Sequence, residues 1–265
     1  MLKLSVCEHL IPGDSYEKKF EVLDTNKIDA IDLDGNDLAR KYDTLVEVMK
    51  ISPVRISAIR TGYRGCLLDD NPEQRNLAVG DIKKLLDYAG KLNAAGVVVV
   101  PIYGAARLPD LHPLKGQLQV EEEMLTLLLS TLAEYAWKQG TRVLLQPMNR
   151  YETHLVRNVN EAVYYVNRVD HPGLRIATHV FHMNIEEPNF SDPFTTLGSM
   201  LSQIYLSDSN YQSPGYGHLN IKHVFDQLQK NGYTGYVTLD YIPSDKLDPL
   251  TELVSVTKAM YNLWW

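Results

Sequence analysis

Eight short apolar runs recur along the chain, and nearly all are followed by a segment with helical spacing. They fall at residues 2–8, 30–33, 54–61, 96–101, 142–147, 174–179, 203–207 and 236–240. Amphipathic stretches occupy 16–23, 38–51, 81–92, 120–139, 160–169, 221–231 and 251–261. In the clearest of these, Met124, Leu127, Leu128, Leu132 and Tyr135 repeat at helical spacing. Glu121, Glu122 and Glu123 stand where a helix dipole favours acid, and Gly140 stands where a helix stops. The run GVVVVP at 96–101 is apolar throughout, as a parallel strand covered on both faces must be.

Strand alternating with helix implies a parallel sheet with helical crossovers. An open doubly wound sheet is the rival, but eight strands and the lack of a GxGxxG turn after the first favour closure. The 265 residues match the length of one such barrel. The expected fold is therefore α/β, a (β/α)8 TIM barrel, with residues 1–265 forming a single domain.

Composition narrows the partners. A net charge of −7 argues against a nucleic-acid partner. There is no apolar run of about 18 residues, so no membrane partner is expected. Cys7 and Cys66 lack metal-ligand spacing and are expected to be reduced and buried. The opening MLKLSVCEHL lacks a basic segment followed by a long apolar one, so the cytoplasm is the expected location. Leu263, Trp264 and Trp265 need burial, either in a homo-oligomer or on the barrel's own helices.

A barrel of this kind works at the C-terminal ends of its strands. Those ends carry Glu8 and His9; Asp32 and Asp34; Arg60, Thr61 and Tyr63; and Tyr103. Further along they carry Gln146, Asn149, Arg150 and Glu152; His179 and His182; Tyr205, Asp208 and Asn210; then Asp240 and Tyr241. Such a polar rim suits a sugar, whose hydroxyls must regain hydrogen bonds on leaving water. Simpler readings stand beside this one. Asp32 and Asp34 are expected to cap a loop or helix, Arg150 to pair with a carboxylate, and Asp208 and Asn210 to serve either turn or site.

The segments QPMNRYE at 146–152 and HVFHMNIEE at 179–187 resemble signature strands of the D-tagatose/D-psicose 3-epimerases, within the xylose isomerase-like sugar phosphate isomerase/epimerase superfamily. YLSDSNYQSPGYGHL at 205–219 and GYTGYVTLD at 232–240 resemble that family's seventh and eighth strands. The resemblance is strongest over residues 140–242. It implies a divalent metal, Mn or Mg, held by two glutamates, an aspartate and a histidine. The two glutamates would also move protons on opposite faces of a sugar.

Every ligand position departs from that pattern: Gln146, His179, Tyr205 and Asp240 stand there instead. Tyr211 replaces a substrate-contacting arginine, while Glu152, His182, Asn149 and Arg150 keep the outer shell. One carboxylate and an amide are a poor set for Mg or Mn, and His179 suits Zn better. No cofactor is therefore expected, with a residual divalent metal as the alternative. Gln146 cannot accept a proton. Asp240, His179 and Glu152 are the expected catalytic groups, with His182, Asn149, Arg150, Gln146, Tyr205 and Tyr211 binding substrate.

The function expected is proton transfer next to the carbonyl of a sugar or keto-sugar at a degenerate or metal-free centre. The alternative is a non-catalytic sugar-binding or partner subunit. A phosphodiesterase of the endonuclease IV kind would need metal ligands at Val100 and Pro101 and a basic face, and has neither.

Overall fold

A computed structural model describes residues 3–264. Strands β1 (Lys3–Cys7), β2 (Ala30–Asp34), β3 (Arg55–Arg60), β4 (Val97–Val99), β5 (Val143–Leu145), β6 (Leu174–His179), β7 (Leu201–Leu206) and β8 (Tyr236–Leu239) form a closed barrel in chain order. All neighbours are parallel, and β1 closes on β8 through Val6 opposite Leu239. Each expected strand is present. Leu2 and Trp265 lie outside the described residues.

The connecting helices include α1 (Tyr16–Thr25), α2 (Leu38–Ile51), α3 (Pro72–Lys91), α4 (Gln117–Lys138) and α5 (Val159–Val169). Two short helices that the periodicity did not predict, α6 (Val180–Glu186) and α7 (Ser191–Leu197), follow β6. The chain continues through α8 (Ile221–Lys230) and α9 (Pro249–Trp264). Outward residues such as Leu4, Val6, Ile31 and Leu33 are fully buried under this helical layer. That burial supplies the main driving force for closure. Near the chain end, Trp264 meets the Phe225 ring edge-on at 5.2 Å, so the apolar C-terminal segment docks on α8.

The glutamates of α4 are a correction. The helix starts at Gln117, so Glu121 lies one turn inside and is buried, with both carboxylate oxygens 2.9 Å from His154 Nε2. An ion pair, rather than the helix dipole, accounts for it.

Two irregularities shape the interior. Between Ile56 and Ile59, β3 gains one residue relative to β2. Side chains alternate along a strand, so this bulge turns Ser57 and Arg60, three apart, to the same inner side. The barrel floor is also polar, where branched aliphatics usually dominate. Ser5 Oγ lies 2.7 Å from Ser57 Oγ, and Gln203 Nε2 donates to Thr238 Oγ1 at 2.5 Å. Asp32, fully buried, accepts from Ser57, Gln203 and Tyr205.

Candidate active site

The strand ends open onto a cavity of about 470 Å³ whose walls include Arg60, Tyr103, Gln146, His182, Tyr211 and Asp240. Asp240 is its ionic centre. This carboxylate is 2% exposed; its Oδ2 lies 2.6 Å from Arg60 Nη1 in an ion pair and accepts from the Tyr211 hydroxyl at 3.0 Å. His179 Nε2 stands 3.4 Å from the same oxygen, and His9 Nε2 3.8 Å from Oδ1. Burial would raise the Asp240 pKa, but His179 and Arg60 hold it well below the usual carboxylate range. Neither contact is a well-aligned hydrogen bond, and the lowering is shared between the His179 ring and the Arg60 ion pair.

Arg60 reaches this point because of the bulge in β3, and the chain turns sharply behind it. Gly62 has φ +84°, and a Cβ there would lie 2.3 Å from the Gly35 carbonyl carbon. The guanidinium lies over the Tyr205 ring at 5.5 Å, and Nη1 also points at Cys7 Sγ at 3.1 Å. Burial, then the neighbouring Asp240, pushes the Cys7 thiol well above its ordinary pKa, so it stays neutral. Both Cys7 and Cys66 are free and buried, as expected.

Neither His179, an expected catalytic group, nor Tyr205, an expected substrate-binding one, is on the cavity wall. His179 does lie beside Asp240, but it is sandwiched between Tyr205 at 6.0 Å and Tyr211 at 5.0 Å and is 1% exposed. Its Nδ1 accepts from the Phe181 backbone N–H at 3.1 Å, which leaves the proton on Nε2, facing Asp240. The Tyr205 hydroxyl turns down into the barrel and donates to Asp32 Oδ2 at 2.9 Å. Burial and the Asp32 charge raise its pKa well above the usual value. Asp32 is itself pushed up to about 7 by burial, against the pull of Arg60 and Tyr205. It is no loop cap. Asp34 is one, accepting from Asn36 N and Thr61 Oγ1.

The opposite wall is neutral. Gln146 lines the cavity with only a weak 3.4 Å contact from Nε2 to the Met148 sulfur. Buried Asn149 donates to His182 Nδ1 at 2.8 Å, so the His182 proton sits on Nε2. Burial and His179 pull the His182 pKa down to about 3, so it is a neutral donor. Glu152 is exposed on the loop after β5, outside the cavity lining. Arg150 is spent on Glu186, with Nε and Nη2 each 2.9 Å from a carboxylate oxygen. The structure therefore does not bring these two to the cavity.

Tyr211 owes its place to the loop after β7. It adopts φ +63°, costly for a tyrosine, and the loop is held by Asp208. Asp208 accepts from the backbone N–H groups of Ser209, Gly215 and Leu219. Asn210 likewise bonds Gln212 and the Tyr216 carbonyl, so both residues do turn chemistry.

Two donor sets bear on a divalent ion. The positions the resemblance marks offer an amide, an imidazole with its lone pair taken, a phenol and one carboxylate. The other set is Cys7, His9 and Asp240, whose ligand atoms lie within 4.8 Å of one another. There the thiol is neutral, and His9 Nε2 lies 3.3 Å from the Tyr241 carbonyl oxygen as its donor. Arg60 already lies against both Cys7 and Asp240. Neither set fits a hard dication, which asks for several anionic oxygens.

A model of the xylose isomerase-like TIM barrel matches residues 20–260. The chain belongs to that family. Among relatives of this xylose isomerase-like barrel, 3-dehydro-D-guloside 4-epimerase of Escherichia coli K12 is 27% identical over 225 residues, covering 84% of this chain and 86% of its own. D-psicose 3-epimerase of Ruminiclostridium cellulolyticum is 31% identical over 109 residues, 41% of this chain and 37% of its own. The apo crystal structure of an E. coli 3-keto-D-glucoside 4-epimerase superposes with a TM-score of 0.88 over 99% of both chains, at 24% identity. The fold is thus shared with proteins named as sugar epimerases. Among the described residues no helix is long and apolar enough to cross a membrane.

Arg60 is the residue that sequence reasoning left unassigned. It ends a strand, which put it on the rim, but its inward direction depends on the bulge. No period in the sequence marks that bulge.

Proposed function

We propose that this protein moves a proton at a carbon next to the carbonyl of a keto-sugar, at a centre that does not depend on a tightly held divalent metal. The observation that carries the reading is the Arg60–Asp240 pair on the wall of a polar cavity at the barrel mouth. Asp240 is the only carboxylate lining that cavity among the described residues. In the step proposed, Asp240 takes the proton, the C–H electrons form the enolate double bond, and the carbonyl oxygen takes up the negative charge. Arg60 and the neutral donors Gln146 and His182 supply hydrogen bonds to the sugar oxygens. The proton held on Asp240 exchanges with solvent, and delivery of a solvent-derived proton back to the carbon completes the exchange.

A C–H beside a ring ketone is more acidic than one in an unactivated sugar, which suits a single weakened base. The relationship to a 3-dehydro-D-guloside 4-epimerase, across most of both chains, supports the same substrate class. The free, buried thiols fit the reducing conditions of the cytoplasm. Homo-oligomers remain part of the proposal, although Trp264 has a partner within the chain.

A second reading, a sugar-binding protein without turnover, is favoured by one observation. Asp240 is held by Arg60 and Tyr211 and is a poor base in that state. Proton NMR of 3-keto-glucosides and ketoses incubated with the protein in D2O separates the two. Deuterium entering next to the carbonyl supports catalysis. Saturable binding by calorimetry without exchange supports the binding protein, and neither result would sink both.

A further inference from the structure

We propose that Arg60 is the resident cation of the barrel mouth and stands in for the divalent ion that the family pattern implies. The inference rests on reading this cavity as the sugar site, but its test needs no sugar.

The first argument is geometric. The carboxylate that a metal would need most, Asp240, has one oxygen occupied by Arg60 Nη1 at 2.6 Å, with Tyr211 at 3.0 Å on the same atom. The same Nη1 lies 3.1 Å from Cys7 Sγ, and the guanidinium is stacked on Tyr205. Arg60 therefore touches a member of each donor set that could be asked to hold an ion. Its position is built in by the β3 bulge and the tight turn at Gly62, rather than left to a mobile side chain.

The second argument is charge. The ion pair already brings Asp240 to neutrality, so adding a dication would leave two uncompensated positive charges in a largely buried cluster. Like charges a few Å apart repel by several kcal/mol at the dielectric of such a site. A guanidinium also offers what the ion would supply to a substrate. It has five N–H donors, and its close polar contacts, to Cys7 and Asp240, are made by Nη1. Among the described residues Nε and Nη2 have no protein acceptor, and Arg60 lines the cavity. Those donors are available to a carbonyl oxygen and, once the proton leaves, to the enolate oxygen.

The test is calorimetric titration of Mn2+ and Zn2+ into the metal-stripped full-length protein, with thermal melts in chelator alongside. Wild type is expected to show no saturable binding and no melting shift with chelator. Folded Arg60→Ala is expected to bind at least one of the ions at least ~10-fold more tightly than wild type. That gain should vanish in Arg60→Ala combined with Asp240→Asn. Saturable binding to wild type that Asp240→Asn abolishes would overturn the proposal. So would a folded Arg60→Ala that gains no binding. If that variant does not fold, Arg60→Lys carries the test, because it keeps the charge and should exclude both ions as wild type does; saturable binding to it overturns the idea. Failure of the keto-sugar reading would leave these titrations unchanged, so the two ideas fail separately.

Discussion

The two walls of the barrel mouth are built on opposite principles. On one, β3, β7 and β8 bring together Arg60, Tyr205, Tyr211 and Asp240, with His179 of β6 wedged between the tyrosines, and the main charges already satisfy one another. On the other, Gln146 and the Asn149–His182 pair are uncharged and keep donors for a ligand. The first wall couples chemistry to stability, because its charges are buried and mutually dependent. The second carries no buried charge, so altering it costs the fold less. Substitution at the implied metal positions has thus changed both walls, through Gln146 on the neutral one and His179, Tyr205 and Asp240 on the charged one.

The comparison predicts where damage falls. Asp240→Asn should have the largest effect, because it removes the proton carrier and leaves Arg60 buried without its carboxylate. Deuterium exchange should fall by about 10²–10⁴-fold, and stability by about 3–5 kcal/mol in a denaturant titration. A fully stable variant would mean the pair contributes little.

Next comes Asp32, whose effect depends on pH. Its carboxyl is raised from 3.8 to about 7 in the folded state, so folding is free of its penalty below about pH 4. As pH rises toward 7, the unfolded chain ionises first and stability drains away. The shift of roughly three pH units at ~1.4 kcal/mol each sets a ceiling of about 4 kcal/mol. Asp240 has the opposite sign, contributing stability above about pH 4 that is lost as pH falls through that range. Asp32→Asn should therefore flatten the fall in melting temperature between pH 4 and 8. An unchanged slope would remove Asp32 from the account.

Smaller effects belong to the neutral wall. His182→Ala should weaken sugar binding by about 3–10-fold, the loss of one hydrogen bond of about 1 kcal/mol, and lower stability by about 1–3 kcal/mol because buried Asn149 loses its partner. Asn149→Ala should add little on top, because both act through one pair. Arg150→Ala should leave sugar affinity unchanged by calorimetry, since its guanidinium is spent on Glu186 outside the cavity. A clear loss of affinity there would redraw the neutral wall.

Much of this molecule was legible in the chain itself. Apolar runs bounded by polar rims gave each strand to within a few residues, because a covered parallel strand has few other compositions. An asparagine followed by a proline also marks the start of α3, where Asn71 accepts from Glu73 N at 2.8 Å ahead of the first turn. The helix α6 was hidden, because seven residues give too little periodicity. At the site, sequence position identified the rim but not the direction of each side chain. Tyr205 occupies a rim position yet turns into the barrel, His179 is buried behind Asp240, and Arg60 turns into the site through a one-residue bulge. Alternation along a strand predicts facing only while the register is regular.

The most direct test is proton NMR of a 3-keto-glucoside in D2O with chelator-treated wild-type protein and with Asp240→Asn. The account predicts deuterium at the carbon next to the carbonyl with the wild type, unaffected by chelator, and near-complete loss with the variant. Exchange that appears only after Mn2+ is added, or that survives in Asp240→Asn, would contradict it.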